Sequence, residues 1–187
     1  MLGWSADGGL WLQQRSAHKA EDPNLWDTLV GGMVASGERP REALARESWE
    51  EAGLCLTELT PLRPGPTLWS RRPLPDGGGQ GYLSERLLCA QLTLPEGLRP
   101  VNQDGEVQAF ALWRPHELRE GIAQGLLTLD AARILMRVLA GVGGCKLKAP
   151  KRRDPEARTP KPVWTSRRCD PEAVSNGWPA PWAACVK

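Results

Sequence analysis

Acidic side chains are concentrated between residues 32 and 54, where Glu47, Glu50 and Glu51 follow one another at helical spacing. Residues 40–51 contain good helix formers and few β-branched residues, which predicts a helix. At about 100° per residue, the three glutamates fall within one narrow arc of that helix. Carboxylates this close repel one another, and a bound Mg²⁺ or Mn²⁺ would relieve the repulsion. The pattern therefore predicts a site for a hard divalent cation.

Glycines and an arginine flank the acidic arc. Gly31 and Gly32 let the backbone come close to a metal ion or a phosphate, and Gly53 stands where a left-handed cap would end the helix. Arg46 lies four residues before Glu50 and can reach its carboxylate. A charge run is usually no more than a solvated helix face, but that explanation does not account for the glycines and the arginine. The spacing therefore favours phosphate chemistry.

The same stretch resembles the Nudix box, G-x5-E-x7-R-E-U-x-E-E-x-G-U, in which U is a bulky aliphatic residue. The positions that match are Gly32, Glu38, Arg46, Glu47, Glu50, Glu51, Gly53 and Leu54. Ser48 departs from the pattern, because it stands where an aliphatic residue is expected. Its arc of the helix should face the core together with Leu44, Ala45 and Ala52. We therefore expect the departure to affect packing and not chemistry.

This resemblance implies hydrolysis of a diphosphate linked to an organic group, on an α/β fold of the Nudix type, an α/β/α sandwich with a mixed sheet. It implies that Glu47, Glu50 and Glu51 bind the metal and that the Gly32 carbonyl is a further ligand. Either Glu50 or Glu51 would help to activate water, and Arg46 would orient the carboxylates. The metal would act as Lewis acid and template, and would lower the pKa of bound water.

Two further acids belong to the predicted site. Glu106, in the segment Asp104-Gly105-Glu106, is a candidate metal ligand from a distant loop. An ordinary acidic residue of a hairpin turn would give the same pattern, and both interpretations stay open. Glu38, from the box itself, is assigned to the groups that contact the substrate.

Outside the box, the chain resembles one Nudix branch in particular, the thiamine pyrophosphokinase-related Nudix proteins. The resemblance covers about residues 2–140. The segments that carry it, together with Lys19, are 10–16, 26–32, 102–107 and 127–130. It implies a thiamine-like diphosphate, intact or damaged, that is cut to the monophosphate and phosphate. Members often carry an additional N-terminal module, which we expect this chain to lack.

A cationic thiazolium and a pyrimidine would require aromatic walls and an acidic group. Trp26 and Trp69 are candidate stacking surfaces. Core packing explains Trp69 better, and it explains Trp26 equally well. Arg15 and Lys19 are candidate counter-charges for the phosphates, although a surface role is as consistent with either residue.

Two other functions fit parts of the sequence. Isopentenyl-diphosphate isomerase shares the implied fold, but it needs a catalytic cysteine before the box, and residues 15–37 contain none. A Nudix-like regulatory domain would bind its ligand without cutting it. Such modules often lose acids of the box, and all of them are present here. Metal-dependent hydrolysis is therefore the leading interpretation.

Charge divides the 187 residues into two parts, although the net charge is only +2. Residues 1–144 hold 14 Lys or Arg and 18 Asp or Glu, and we expect them to form one Nudix domain. Residues 145–187 hold ten Lys or Arg and four acids, with seven prolines, and are predicted to be a disordered basic tail. Its tryptophans could touch nucleic acid, but a tail without that role is the preferred interpretation.

The remaining expectations concern location and partners. The chain shows no long apolar run and no signal-like start, so we expect a cytoplasmic protein without a membrane span. Five cysteines without zinc spacing suggest reduced thiols. The expected partner is a small-molecule diphosphate, and a homodimer is compatible with the sequence.

The elements that must position the site follow from local patterns. Strands are predicted at residues 2–4, 10–14, 28–34, 67–71, 81–93 and 106–113. Residues 115–120 should open a helical turn, and residues 126–140 should form a helix, because their apolar side chains recur at helical spacing. The loop at residues 75–79, rich in glycine, is predicted to be flexible.

Overall fold

The computed structural model describes residues 1–59, 61–73 and 81–142. The strands are β1 (Leu2–Trp4), β2 (Leu10–Arg15), β3 (Trp26–Thr28), β4 (Arg63–Pro73), β5 (Tyr82–Thr93) and β6 (Val107–Trp113). The helices are α1 (Pro40–Ala52), α2 (Pro115–Ala123) and α3 (Leu129–Val142). Within these ranges no helix has the length and apolar character that crossing a membrane requires. The predicted flexible loop and the predicted basic tail lie outside the described residues.

The strands form one mixed sheet. Its order is β3-β2-β1-β5-β4, and β6 also pairs with β2. Strands β1 and β5 run parallel, with Gly3 opposite Leu92, whereas the other pairs are antiparallel. Because β2 pairs with β1, β3 and β6, it connects more strands than any other described strand.

Alternation along β2 sends successive side chains to opposite faces of the sheet. Trp11 joins one apolar cluster with Leu54, just after α1, and Leu92 of β5. Leu10 and Leu12 join a second apolar cluster with side chains of α2 and α3. Helices therefore cover both faces of the sheet, and the predicted α/β fold with a mixed sheet is confirmed.

The strand before the glycine turn lies earlier than predicted. Strand β3 ends at Thr28, whereas the apolar pattern predicts a strand at 28–34. Leu29 and Val30 are fully buried in the first apolar cluster, so their apolar character serves core packing outside the strand ladder. The Gly31 N–H then donates to a side chain and not to a neighbouring strand.

Helix α3 begins later than the predicted residue 126. The Leu126 carbonyl accepts a hydrogen bond from the Trp26 N–H at 2.9 Å, which holds this segment beside β3. Thr128 then caps the helix, because its Oγ1 accepts a hydrogen bond from the Ala131 N–H at 3.2 Å. Pairing with β3 therefore delays the start of the helix.

Cys89 on β5 is a free, buried thiol, and burial raises its pKa. For the other cysteines, the expectation of reduced thiols stays a prediction.

Candidate active site

Helix α1 carries the glutamates of the box, and local signals define both of its ends. Pro40 lies in the first turn, and the Arg39 N–H donates to the Glu42 carboxylate at 3.0 Å. Gly53 caps the C-terminus with a φ of 62°, a left-handed conformation that glycine adopts readily. Its N–H donates to the Trp49 carbonyl at 2.9 Å. The helix thus ends directly after its acidic residues, as the glycine spacing predicts.

Glu51 is almost completely buried, with an exposed fraction of 1%. Its Oε2 accepts hydrogen bonds from Gln13 Nε2 at 3.1 Å and from the Gly31 N–H at 2.9 Å. Burial raises the pKa of Glu51 to about 7, and the two donors offset only part of this effect. The prediction that the acidic arc lies apart from the buried arc is wrong for Glu51, because donors from the sheet side hold its Oε2 against the sheet.

Glu47 packs directly against Gly32. A side chain on Gly32 would overlap the Glu47 carboxylate, so glycine is required for this approach. Burial raises the pKa of Glu47, and its ion pair with Arg46 opposes that shift. The contact places Glu47 beside Gly32, and both are among the predicted metal ligands.

Arg46 joins the helix to the preceding turn. Its Nη1 donates to Glu47 Oε1 at 2.6 Å and to Glu50 Oε2 at 3.2 Å. Its Nε and Nη2 donate to the two carboxylate oxygens of Glu38, both at 3.1 Å. These bonds lower the pKa of Glu38, and the Ala35 N–H adds a further donor at 2.9 Å. One guanidinium therefore pairs with three carboxylates and ties the turn to α1.

The three glutamates of α1 do not share one coordination point in this structure. Glu51 is turned toward the sheet, whereas Glu47 and Glu50 are turned toward Arg46. Within the described ranges, no three His, Cys, Asp or Glu side chains are gathered as they would be around a metal ion. Their chemistry nevertheless fits Mg²⁺ or Mn²⁺, since these ions prefer carboxylate oxygens. A cation would also offset the burial that raises the pKa values of Glu47 and Glu51.

Glu106 lies on a loop that is attached to the end of α1. The Gln103 N–H donates to the Glu50 carbonyl at 3.0 Å, which brings this loop to the acidic end of the helix. The Glu106 carboxylate is about half-exposed and forms an ion pair with Lys19. The structure thus attaches the loop that carries Glu106 to the acidic end of α1 and pairs the Glu106 carboxylate with Lys19.

A cleft with a volume of about 510 Å³ opens beside Gly32 and Glu47. Its other walls come from β3, from the β4–β5 hairpin and from the start of α3. The charged residues of its lining are Glu21, Asp22, Asp27, Glu47, Glu85 and Asp130, with Arg15, Arg72 and Arg86. Acidic residues therefore outnumber basic ones, which suits a ligand whose organic part is cationic or rich in hydrogen-bond donors.

Two of these acids, Asp27 and Asp130, were not predicted as site residues. Asp27 Oδ1 accepts a hydrogen bond from the Thr28 N–H at 2.7 Å, and its Oδ2 lies 3.7 Å from Arg15 Nη1. Burial raises the pKa of Asp27. Asp130, in the first turn of α3, accepts a hydrogen bond from Ser70 Oγ at 2.9 Å. Both acids belong to segments that carry the branch resemblance, and this was their one signal in the sequence.

The predicted substrate-binding residues separate in space. Arg15 lines the cleft, and its guanidinium donates to a backbone carbonyl of the following loop at 3.0 and 3.1 Å. Lys19 is engaged by Glu106 and does not line the cleft. Trp26 packs against Trp113, with ring centroids 5.4 Å apart, in the second apolar cluster. Of this set, Arg15 alone is positioned to meet a ligand in the cleft.

Trp69 on β4 has an exposed fraction of 57%, so the expectation of core packing is wrong. The next residue, Ser70, is 1% exposed. Because side chains alternate between the faces of a strand, burial of Ser70 turns Trp69 outward. Trp69 also lies outside the cleft lining, and it is not a stacking wall of this cleft.

A mixed sheet between helices, with an acidic helix beside a glycine turn and a cleft, defines a Nudix-type domain. A family model described as NUDIX domain matches residues 4–137. The chain therefore belongs to the Nudix family.

Individual relatives agree with this assignment. The chain is 32% identical over 115 residues to Nudix hydrolase 20, chloroplastic, of Arabidopsis thaliana, a match that covers 55% of this chain and 26% of that protein. It is 32% identical over 144 residues to an isopentenyl-diphosphate Delta-isomerase of Streptomyces coelicolor, a match that covers 72% of this chain and 68% of that protein. The crystal structure of DR0079 from Deinococcus radiodurans matches with a TM-score of 0.60 at 28% identity. The match covers 73% of this chain and 78% of that chain. The chain thus spans about a quarter of the plant hydrolase.

Proposed function

We propose that this protein is a metal-dependent diphosphohydrolase that cuts the diphosphate of a small organic compound to the monophosphate and inorganic phosphate. Water supplies the oxygen added to phosphorus, and the bridging P–O bond breaks. One observation carries the proposal: Glu47 packs on Gly32, and both line the same acidic cleft. A diphosphate in that cleft would therefore lie beside the Glu47 carboxylate of α1.

The residues that would hold Mg²⁺ or Mn²⁺ are Glu47, Glu50 and Glu51, with the Gly32 carbonyl and Glu106 as further candidates. When bound, the ion would polarise the phosphate oxygens and lower the pKa of a bound water. Arg46 keeps Glu47 and Glu50 together by donating to both.

Glu51 is a better candidate than Glu50 for the group that takes a proton from water. A general base works best when its pKa lies near the operating pH, and in the metal-free protein burial raises the pKa of Glu51 to about 7. Glu50 is 43% exposed and ion-paired with Arg46. Arg15, which lines the cleft, is the candidate counter-charge for the phosphates. Glu38 supports the site through Arg46.

The acidic lining supports a substrate whose organic part carries positive charge. Thiamine diphosphate or a damaged analogue meets this requirement, because its thiazolium is cationic, and we keep it as the specific form of the proposal. The names of the relatives described above do not refer to thiamine, so the cleft chemistry and the branch resemblance are its support. Asp27 and Asp130 are the candidate partners of the cationic group.

A substrate panel tests the proposed function. The purified full chain is incubated with thiamine diphosphate, its oxidised analogues, nucleotide sugars and ADP-ribose, and phosphate and monophosphate products are measured. We expect turnover with Mg²⁺ or Mn²⁺, loss with EDTA and recovery when the metal is restored. Turnover that is unaffected by EDTA would contradict the mechanism.

Substitutions in α1 connect turnover to the proposed site. Glu50→Gln and Glu51→Gln should each lower kcat by about 100-fold or more, because a metal ligand or a base is lost. Glu58→Gln is a matched control, since Glu58 is exposed beyond the end of α1. If both box variants keep near-normal kcat, the assignment is wrong.

The match to a Streptomyces isomerase makes isopentenyl-diphosphate isomerisation the second candidate. Against it, residues 15–37 contain no cysteine, and the free thiol of Cys89 is 2% exposed. Isopentenyl diphosphate therefore belongs in the panel, with the double-bond isomer as the measured product. Isomer formation without phosphate release would favour this candidate, whereas binding without any turnover would favour a regulatory domain.

A further inference from the structure

Gln13 is a polar side chain on the central strand of the sheet. On β2, Leu10 and Leu12 point into the second apolar cluster, while Trp11 joins the first cluster on the opposite face. Alternation therefore turns Gln13 to the same face as Trp11, toward α1. Its exposed fraction is 1%. A buried amide is costly unless its polar atoms are hydrogen-bonded.

The amide nitrogen of Gln13 reaches the acidic helix. Gln13 Nε2 donates to Glu51 Oε2 at 3.1 Å, and the Gly31 N–H donates to the same oxygen at 2.9 Å. These donors come from the central strand and from the glycine turn. Among the described residues none donates a hydrogen bond to Glu51 Oε1. The carboxylate is therefore held through Oε2 alone.

The amide oxygen of Gln13 has the opposite character. Gln13 Oε1 is buried and has no hydrogen-bond partner among the described residues. An unsatisfied buried acceptor destabilises the folded state. An apolar side chain of similar size would avoid that cost, as Leu10 and Leu12 do on the same strand. Packing of the strand thus does not account for glutamine at this position, and the one polar contact of its side chain within the described ranges is the hydrogen bond to Glu51.

We propose that Gln13 is a positioning residue that orients the Glu51 carboxylate so that Oε1 faces the metal or the attacking water. The inference rests on the proposed function and adds to it a residue outside the box. Groups that orient a ligand by hydrogen bonding affect metal affinity or activity by about 10–100-fold when they are replaced. Gln13 therefore contributes to the reaction without touching the substrate.

The test replaces the amide with an apolar group of similar size. Gln13→Met should lower kcat by about 10–100-fold with KM within about threefold of the parent. The dissociation constant for Mn²⁺, measured by calorimetry without substrate, should rise by a similar factor. The Tm should stay within about 4 °C of the parent, because removal of the unsatisfied Gln13 acceptor offsets the loss of one of the two donors to Glu51. Gln13→Leu provides a second variant in case Gln13→Met does not fold.

Gln14→Met is the matched control. Gln14 lies next to Gln13 on β2 but is half-buried, and its Nε2 donates to the Asn24 carbonyl at 3.0 Å. This control also loses one amide hydrogen bond, so it should change neither kcat nor Mn²⁺ affinity. Equal losses in both variants would show a general effect on the strand and would overturn the assignment.

The outcomes also separate this inference from the proposed function. If the parent hydrolyses a panel compound and Gln13→Met matches it in kcat and Mn²⁺ affinity, the positioning role is wrong and the hydrolase proposal stands. A loss of activity that follows a fall in Tm would likewise overturn the positioning role. If the parent shows no turnover, the Mn²⁺ affinities still decide the role of Gln13. A parent that neither binds Mn²⁺ nor turns over any compound would overturn both.

Discussion

At the scale of single residues, Glu51 decides how the site responds to pH. Its carboxylate is buried between Gln13 and Gly31, and burial raises its pKa from the ordinary 4.5 to about 7. In the unfolded chain the same group is solvated and loses its proton near the ordinary value. Ionised Glu51 therefore opposes folding unless another charge compensates it, which links the stability of the domain to metal binding.

This link predicts a pH dependence of the metal-free protein. Between pH 4.5 and about 7, folded Glu51 keeps a proton that the unfolded chain has released, so the free energy of unfolding should fall as pH rises through this window. Across this whole window, the titration of Glu51 should lower the free energy of unfolding by about 3 kcal/mol. Urea unfolding in EDTA at pH 5 and pH 7.5 measures it.

Glu51→Gln is the reference for that measurement. Its carboxamide does not titrate, so the variant should lack the contribution of Glu51 while keeping that of every other acid. When Mg²⁺ replaces EDTA, the free energy of unfolding of the parent at pH 7.5 should fall by less. If the free energies of unfolding of the parent and of Glu51→Gln change with pH in the same way between pH 5 and 7.5, the pKa of Glu51 is ordinary.

At the scale of elements, the packing of α1 against the sheet depends on small side chains. Ala43, Ser48 and Ala52 are its buried residues besides Glu51. Ser48 has an exposed fraction of 0%, which confirms that the position that departs from the box faces the core. Its Oγ has no hydrogen-bond partner among the described residues. The departure therefore leaves a buried hydroxyl without compensation.

Removing that hydroxyl should stabilise the protein. We expect Ser48→Ala to raise the free energy of unfolding by about 1 kcal/mol, because a buried hydroxyl without a partner costs about 1–3 kcal/mol. Ser48→Leu, which restores the aliphatic residue of the box, should be neutral or stabilising. Chemical denaturation with a matched kcat measurement checks both, and kcat should not change.

A strong loss of stability in Ser48→Ala would mean that the hydroxyl makes a bond to an ordered water. If only Ser48→Leu loses stability, the helix approaches the sheet too closely for a larger side chain. The two variants therefore separate the polarity of the site from its volume.

At the scale of the whole molecule, the proposed chemistry lies within the part of the chain that matches the family, residues 4–137. The cleft is lined by residues from both sides of the box, from Arg15 to Ile134 among others. The basic segment 145–187 follows this region in the sequence. The proposed chemistry requires no residue from that segment, and the homodimer stays a prediction.

Removal of residues 145–187 should therefore leave turnover intact. We expect kcat/KM of the shortened chain to stay within about twofold of the full chain on the best panel substrate, since the groups proposed to act precede residue 145. Steady-state kinetics on both chains makes the comparison. A large fall in kcat with an unchanged Tm would assign the segment a part in the reaction.

The box shows which features a sequence can determine. The spacing of Glu47, Glu50 and Glu51, with Gly53 at the helix end, was sufficient to predict α1, because helix geometry is local. The family assignment followed from the same residues. The predicted positions of β3 and α3 were less accurate, since pairing between distant segments decides where those elements begin and end.

Tertiary structure alone decided the environment of each charged group. Burial of Glu51 depends on Gln13, a residue 38 positions away along the chain, and the acidic cleft joins Asp27 of β3 to Asp130 of α3. The sequence could not reveal these contacts because burial and pKa depend on the groups that folding brings together, not on neighbours along the chain. The amino-acid sequence determined which ionisable groups α1 carries, and the fold determined which of them are desolvated, which are paired and which line the cleft.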